Sequence, residues 1–247
     1  MQDTTVILSV YKRPYAFEAQ YNAIKNQTHK SQIWIWINKA DGINIPSDIF
    51  RYDNVVYSSI NFGVWGRFSL ALNVPTKYTC IIDDDTIPEK RWIENCIKTI
   101  DQYNGVITTR GVIAQYGKDH LYPNPESYEA VGWGNPNEDT VAVDMGCHCW
   151  FFETEILSEF WRYAPKSLPM NFGEDMHLSF IAQKLGLRTF VAPHPINDTD
   201  LWGSNPITGH EFGSDKNAIS WNPQANYGMN QYWNHIRKAG YKIIQET

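Results

Sequence analysis

The sequence contains few cysteines and no long apolar run. Four cysteines in 247 residues are too few for a disulfide-stapled scaffold. No stretch reaches about 18 consecutive apolar residues, and residues 1–10 lack a basic start followed by a long apolar segment. We therefore expect no integral membrane segment and no secretory signal, and a cytoplasmic location.

Basic residues are also scarce. Lys and Arg total 21 against 27 Asp and Glu, which gives a formal net charge of −6. Binding to nucleic acid depends on many Lys and Arg contacts to phosphate, so we expect no nucleic-acid partner. The length fits a single domain spanning residues 1–247.

Aromatic residues are abundant, at 14% of the chain. Their flat apolar faces suit sugar rings and nucleobases, although they also fill cores. Trp133, Trp202 and Trp221 lie in loop-like surroundings and are candidates to line an acceptor sugar site, with simple packing as the alternative.

Short apolar runs alternate with amphipathic helical patterns. Residues 5–10, 55–59 and 78–82 read as strands, and 32–38 (QIWIWIN) is apolar throughout, as in a central strand buried on both faces. The order strand, helix, strand predicts an α/β fold with a Rossmann-like, mainly parallel central sheet flanked by helices.

The second half is less regular. Residues 116–139 are rich in Pro and Gly and predict a loop or flap, whereas 141–152 predict one strand. A helix over 174–185 and a strand over 187–192 follow. Beyond them we expect a polar C-terminal extension that ends in a short helix at 231–239.

Three carboxylates, Asp83, Asp84 and Asp85, follow the apolar strand 78–82 directly. The carboxyl ends of strands in open α/β sheets are where ligands bind. Carboxylates suit hard cations such as Mg²⁺ or Mn²⁺, and the alternation of side chains predicts that Asp83 and Asp85 face one side while Asp84 faces away. The alternative is a solvated acidic turn.

Several segments resemble GT-A fold glycosyltransferases. IIDDDTIP resembles their DxD motif, TVILSVYKRP their first strand and nucleotide-contacting loop, and NFGVWGRFSLAL the Asn/Arg segment that precedes the DxD. VDMGCHCWFF resembles the strand that lines the acceptor site, and NFGEDMHLSFIAQKLG the acidic pair that opens a later helix. The resemblance covers about residues 5–195, and within the superfamily it points to exostosin-like or related inverting families.

The resemblance implies a GT-A fold with a C-terminal extension, with the nucleotide-binding part at about 1–100 and the acceptor-binding part and tail at about 101–247. It also implies a glycosyltransferase that depends on Mn²⁺ or Mg²⁺. The enzyme would move a sugar from a UDP- or GDP-sugar donor to a hydroxyl of a saccharide or glycan acceptor.

Roles for individual residues follow from the same resemblance. Metal ligands would be Asp85 and Asp83, with His210 of the tail as a further candidate. The catalytic candidates are Asp175, which we prefer as base, and Glu174; in a retaining enzyme this position would instead orient the acceptor or stabilise charge, and both could simply be first-turn acids that complement the helix dipole. The expected donor-binding residues are Tyr11, Arg13, Asn38, Arg67, Asp83 and Asp84.

Two further features have competing interpretations. Cys147, His148 and Cys149 suggest zinc, but adjacent strand residues diverge and no second Cys pair exists at finger spacing, so buried strand cysteines are the preferred interpretation. His194, after the last strand, is a candidate metal or diphosphate ligand, with a structural histidine as the alternative.

Three other functions have weaker support in the sequence. A sugar nucleotidyltransferase needs a Gly-rich basic loop after the first strand, and SVYKRPY has no glycine. A noncatalytic sugar-binding module would explain the aromatics but neither the triple Asp nor the acidic helix start. A protein–protein role has no motif to support it.

Overall fold

The computed structural model describes residues 2–39, 42, 45, 47–117, 121, 125–214, 219 and 222–247. The strands are β1 (Thr4–Val10), β2 (Gln32–Ile37), β3 (Asn54–Tyr57), β4 (Tyr78–Ile82), β5 (Gly105–Ala114), β6 (Tyr128–Gly132), β7 (Val141–Val143), β8 (Met145–Glu153) and β9 (Arg188–Val191). The α-helices are α1 (Phe17–Lys25), α2 (Gly66–Ala71), α3 (Trp92–Tyr103), α4 (Ile156–Arg162), α5 (Glu174–Lys184), α6 (Pro206–Gly213) and α7 (Pro223–Lys238).

The described strands form one mixed sheet in the order β3-β2-β1-β4-β8-β5-β9-β7. Strand β6 lies off this path and pairs with β5. The first four strands pair in parallel, as expected for strands joined by helical crossovers. β8 then runs antiparallel to both β4 and β5. The predicted α/β class and helix-flanked sheet are confirmed, but the parallel part is confined to the N-terminal strands and the β5–β9 pair.

Both faces of the sheet are buried, and β2 shows why. Ile33, Ile35 and Ile37 pack on the face covered by α1 and α3, whereas Trp34 and Trp36 point to the opposite face, against α2, α4, α5 and α7. The continuous apolar run of this strand therefore serves two cores, as a period of two requires.

The second half differs from the prediction at three places. Residues 141–152 form two strands, because the buried carboxylate of Asp144 accepts hydrogen bonds from the amides of Ala114 and Ile244 between them. Strand β6 lies within the expected flap. The extension holds two helices, α6 and a longer α7, and each begins with an Asn–Pro pair.

These Asn–Pro pairs have a physical role. The side chains of Asn205 and Asn222 each accept a hydrogen bond from the backbone amide two residues later, and the proline that follows occupies the first helical turn. Within the described part of the chain, no helix is both long and apolar enough to cross a membrane.

Candidate active site

The acidic turn, Asp83–Asp85, lies at the carboxyl ends of the parallel strands and is held by hydrogen bonds to its backbone. The amide of Asp83 donates to the carbonyl oxygen of His148 at 2.9 Å. Buried Gln20 of α1 donates from its side-chain amide to the carbonyl oxygens of Asp83, at 2.7 Å, and Thr86, at 3.1 Å. Strand β8 enters the sheet where β4 ends, so a residue near its start meets the turn.

Asp83, Asp85 and His148 converge on one point. One ligand atom from each lies within 4.8 Å of the others, and all three side chains are partly buried. Asp83 and Asp85 share a side, as the sequence predicts. His148 has a positive φ of 68° and lies where the β5–β8 register shifts. This bulge sets the direction of the imidazole, and burial lowers the pKa of His148 to about 4, so the ring is neutral and able to ligate.

Arg13 holds the other side of the turn. Its buried guanidinium donates to Asp84 Oδ1 at 2.8 Å, to Asp85 Oδ2 at 3.1 Å and to the carbonyl oxygen of Gly213 at 3.1 Å. Burial, and then the charge of Asp85, raises the pKa of Asp84 to about 7 although Arg13 opposes the shift. Burial and the charge of Asp83 raise the pKa of Asp85 to about 6. An added cation would relieve this crowding of negative charge.

Arg67 joins two of the predicted functional carboxylates. It is only 8% exposed, and its guanidinium pairs with Asp83 and donates to Glu174 Oε1 at 2.9 Å. The same group lies over the ring of Trp150, 4.8 Å from the centroid. Arg67, which we expected to bind the donor, is thus paired with protein carboxylates, of which Glu174 is buried and needs a countercharge.

Asp175 differs from its neighbour Glu174. It lies in the first turn of α5, and its Oδ1 accepts the amide of Met176 at 2.7 Å. No ion pair to Asp175 exists among the residues the structure describes. Burial and the charge of Glu174 raise the pKa of Asp175 well above its usual range. Asp175 is thus a carboxylate of raised proton affinity without a fixed cation partner.

The C-terminal extension covers the acidic turn. Gly213 lies so close that a Cβ there would be 2.6 Å from Asp85 Oδ2. The Tyr15 hydroxyl donates to the carbonyl oxygen of Phe212 at 3.1 Å, and the two rings stack with centroids 6.2 Å apart. Helix α6 therefore forms one wall of the site.

Trp133 connects that wall to the cluster. Its ring stacks on His148, with centroids 5.4 Å apart, and lies 5.2 Å from the ring of His210. His210, which we predicted as a metal ligand, bonds to Ser214 Oγ at 3.1 Å instead of joining the group formed by Asp83, Asp85 and His148. The histidine in that group is His148, which the sequence places within a predicted buried strand.

The remaining predicted donor residues lie further along the same sheet edge. Asn38 accepts the amide of Phe62 and donates to Asn61 Oδ1 at 2.8 Å, so its amide is used in holding the loop after β3. Tyr11 is partly buried, and Lys12 Nζ lies 4.9 Å from its ring centroid.

His194 and Trp202 are bonded within the fold. His194 is fully buried and bonded to Thr109, Ala192 and Gly203, and Trp202 donates to the carbonyl oxygen of Pro195 at 2.8 Å. Trp221 lies outside the described residues. Cys149 is buried, and Cys147 is partly buried with a pKa that burial raises strongly. Both agree with the preferred interpretation as strand cysteines.

Comparison with known proteins adds a fold relationship. No family model matches the sequence, and no curated protein matches it. A similar solved structure is the mannosyltransferase PcManGT from Pyrobaculum calidifontis in complex with GDP-Man and Mn²⁺, with a TM-score of 0.52 and 16% identity. The match covers 96% of this chain and 70% of that chain. The chain therefore has a Rossmann-like fold of the kind found in a glycosyltransferase.

Proposed function

We propose that the chain is a metal-dependent glycosyltransferase that moves a sugar from a nucleoside diphosphate sugar to a hydroxyl of a saccharide or glycan. The observation that carries this proposal is the convergence of Asp83, Asp85 and His148 at the carboxyl edge of the parallel strands. The shared fold with a mannosyltransferase solved with GDP-Man and Mn²⁺ supports it.

The ligand set fits a divalent cation and favours Mn²⁺. Asp83 and Asp85 would supply carboxylate oxygens, and His148 would supply a neutral imidazole nitrogen. Mg²⁺ prefers oxygen ligands and waters, whereas Mn²⁺ accepts the mixed set more readily. When bound, the cation would act as a Lewis acid that stabilises a diphosphate leaving group.

The two arginines neutralise the acidic turn and prepare it for an anionic donor. Arg13 holds Asp84 and Asp85, and Arg67 holds Asp83 and Glu174. A cation bound to Asp85 would compete with Arg13 for the same carboxylate, which would leave the Arg13 guanidinium available to the donor. We therefore keep Arg13 as a donor-contacting residue. Arg67 is assigned to positioning the two carboxylates that it joins.

Asp175 is our proposed general base for an inverting transfer. Burial also raises the pKa of Glu174, although Arg67 opposes this shift and fixes the direction of the carboxylate. Asp175 has no such partner among the described residues, and its raised pKa makes it the better proton acceptor once ionised. For a retaining transfer, the same position would orient the acceptor.

The test is nucleotide binding measured by thermal unfolding. GDP and UDP should raise the melting temperature with Mn²⁺ but not with chelator alone, because the diphosphate needs the cation to approach three aspartates. Asp85→Asn should abolish this Mn²⁺-dependent shift. Asp139→Asn is the matched control, since Asp139 is exposed and lies just before β7, which β8, β5 and β9 separate from β4 in the sheet.

Catalysis is tested separately from binding. Asp175→Asn should retain the Mn²⁺-dependent shift with GDP or UDP but lose sugar transfer by at least about 100-fold, the usual contribution of a general base. Unchanged turnover would eliminate Asp175 as base. No Mn²⁺-dependent shift with any of a full panel of nucleoside diphosphates would refute the proposed function.

A further inference from the structure

Arg110 is a partly buried cation beside the candidate active site. The other arginines around the site, Arg13 and Arg67, are paired with carboxylates. Among the residues that the structure describes, Arg110 makes neither a salt bridge nor a side-chain hydrogen bond, and its Nε is buried without a partner. Leaving a guanidinium partly desolvated and unpaired is unfavourable, and an oxyanion would relieve that cost.

The sheet places Arg110 at the site. It lies on β5, opposite Cys147 of β8 on one side and Gly132 of β6 on the other. Its guanidinium carbon lies over the ring of Trp133, 5.2 Å from the centroid. Because Trp133 also stacks on His148, the aromatic ring connects Arg110 to the proposed metal ligands.

Trp133 gives Arg110 a rigid platform. The nitrogen edge of its indole packs against α6, where a Cβ on Gly209 would be 3.0 Å from Trp133 Nε1. Both Gly132 and Trp133 have positive φ, 74° and 50°, so the turn holds this side chain in one direction. A guanidinium stacked on a fixed indole is preorganised for a planar anion.

Strand β5 directs Arg110 to the face of the sheet that α5 covers. Arg110 and Val112 lie two residues apart in an uninterrupted register, and Val112 packs in one core cluster with Met176, the residue after Asp175. Arg13, by contrast, holds Asp84 and Asp85 on the side closed by α6. Arg110 therefore lies on the sheet face covered by the helix that carries the proposed base, whereas Arg13 is the proposed contact of the donor.

We propose that Arg110, held on the Trp133 ring, binds an oxyanion of the acceptor, so that the preferred acceptor is an acidic saccharide that carries a carboxylate or a phosphate. This inference rests on the proposed function and names its acceptor class. Arg110 would accept no proton; it would orient the acceptor hydroxyl through the neighbouring negative group.

The experiment uses acceptors that differ only in charge. Methyl glycosides of glucose and galactose are compared with those of glucuronate, galacturonate and the two 6-phosphates, with nucleotide release as the readout. Wild type should favour at least one acidic acceptor by about 10- to 100-fold in kcat/KM, the value of a charge-assisted hydrogen bond. Arg110→Met should lose this preference while neutral acceptors change by less than about threefold.

Two variants and a second readout separate the alternatives. Arg188→Met is the matched control, because Arg188 also forms no salt bridge with the residues described but lies exposed on β9; it should keep the preference. Arg110→Lys should recover part of it. The Mn²⁺-dependent thermal shift with GDP or UDP should be unchanged in Arg110→Met, which also shows that the variant folds.

Three outcomes would overturn the assignment. Loss of the nucleotide shift in Arg110→Met would assign Arg110 to the donor diphosphate. Equal losses on neutral and acidic acceptors would make it a structural residue, and a wild-type preference for neutral acceptors would exclude an acidic acceptor. Absence of any metal-dependent nucleotide binding in wild type would instead refute the proposed function itself.

Discussion

The backbone amide of Asp83 donates to the carbonyl oxygen of His148 at 2.9 Å, and this bond joins the two halves of the candidate metal site. It extends the antiparallel ladder between β4 and β8 by one residue past Ile82 and Cys149. The acidic turn supplies the carboxylates and the bulged start of β8 supplies the imidazole. Neither strand alone contains the complete ligand set.

His148 should therefore be needed for metal binding. His148→Gln removes the nitrogen ligand and should weaken Mn²⁺ binding by at least about 10-fold, measured by the electron paramagnetic resonance signal of free Mn²⁺. His235→Gln on α7 is the control and should bind as wild type does. If His148→Gln binds Mn²⁺ normally and His210→Gln does not, the ligand is the tail histidine that the sequence suggested.

Arg67 should be essential for stability as well as for site geometry. Arg67→Met leaves Asp83 and Glu174 without their shared cation, and removing one partner of a buried ion pair costs about 3–5 kcal/mol. Chemical denaturation should show this loss, with partial recovery in the Arg67→Met, Glu174→Gln double variant. Arg162→Met, which breaks a pair on the helix surface, should change stability by less than about 1 kcal/mol.

Gly173 should tolerate no side chain. It precedes α5 with a φ of 80°, and a Cβ there would be 2.2 Å from Cγ of Tyr232. Gly173→Ala should lower the free energy of unfolding by about 2–4 kcal/mol through backbone strain and overpacking. Gly186 has a φ of 76° and nothing within 4 Å of its Cβ position, so Gly186→Ala should show the strain alone, about 1–2 kcal/mol. Equal losses would mean that α7 does not pack against this turn.

Acidification should destabilise the protein through His194. The Gly203 N–H donates to Nε2 of His194, so Nδ1 carries the proton and donates to the carbonyl oxygen of Ala192. Protonation of Nε2 would place its N–H against the N–H of Gly203. Burial lowers the pKa of His194 to about 4, whereas the unfolded value is about 6.5. The unfolded chain therefore binds protons first, and stability is lost as pH falls from about 6.5 to 4.

The measurement is urea denaturation at pH 7 and pH 5 in wild type and His194→Asn. Between these values the stability advantage of wild type over the variant should shrink by about 2 kcal/mol. His177 is also buried, with its pKa lowered to about 4, and contributes equally to both proteins. Parallel losses in wild type and variant would show that His194 does not carry this pH dependence.

The sequence predicted those parts of the site that are local. Asp83 and Asp85 follow one strand, so their place at its carboxyl end was predictable. The alternation expected of a strand does not extend into the turn, because one nitrogen of Arg13 contacts both Asp84 and Asp85. The same reasoning could not find His148, because its place depends on β8 running antiparallel to β4, a pairing between distant parts of the chain. The one signal in the sequence was a histidine within an apolar strand segment, and its flanking cysteines suggested zinc.

Arg67 shows a related limit. A planar cation before an acidic turn suggested contact with an anionic donor, but its partners Asp83 and Glu174 come from two segments that only the fold brings together. The Asn–Pro pairs that begin α6 and α7 are the opposite case. Cap residue and first-turn proline are both local signals, yet we predicted only a short helix at 231–239, so α6 and the first half of α7 were missed although the sequence contains their start signals.

The most direct test of the account is turnover of a panel of nucleoside diphosphate sugars, with GDP-mannose first because the structurally similar enzyme was solved with it. Free nucleotide is measured with Mn²⁺, with chelator, and with Asp85→Asn. We expect release from at least one donor that requires both Mn²⁺ and Asp85 and rises when an acceptor saccharide is added. Equal release with chelator, or in Asp85→Asn, would contradict it.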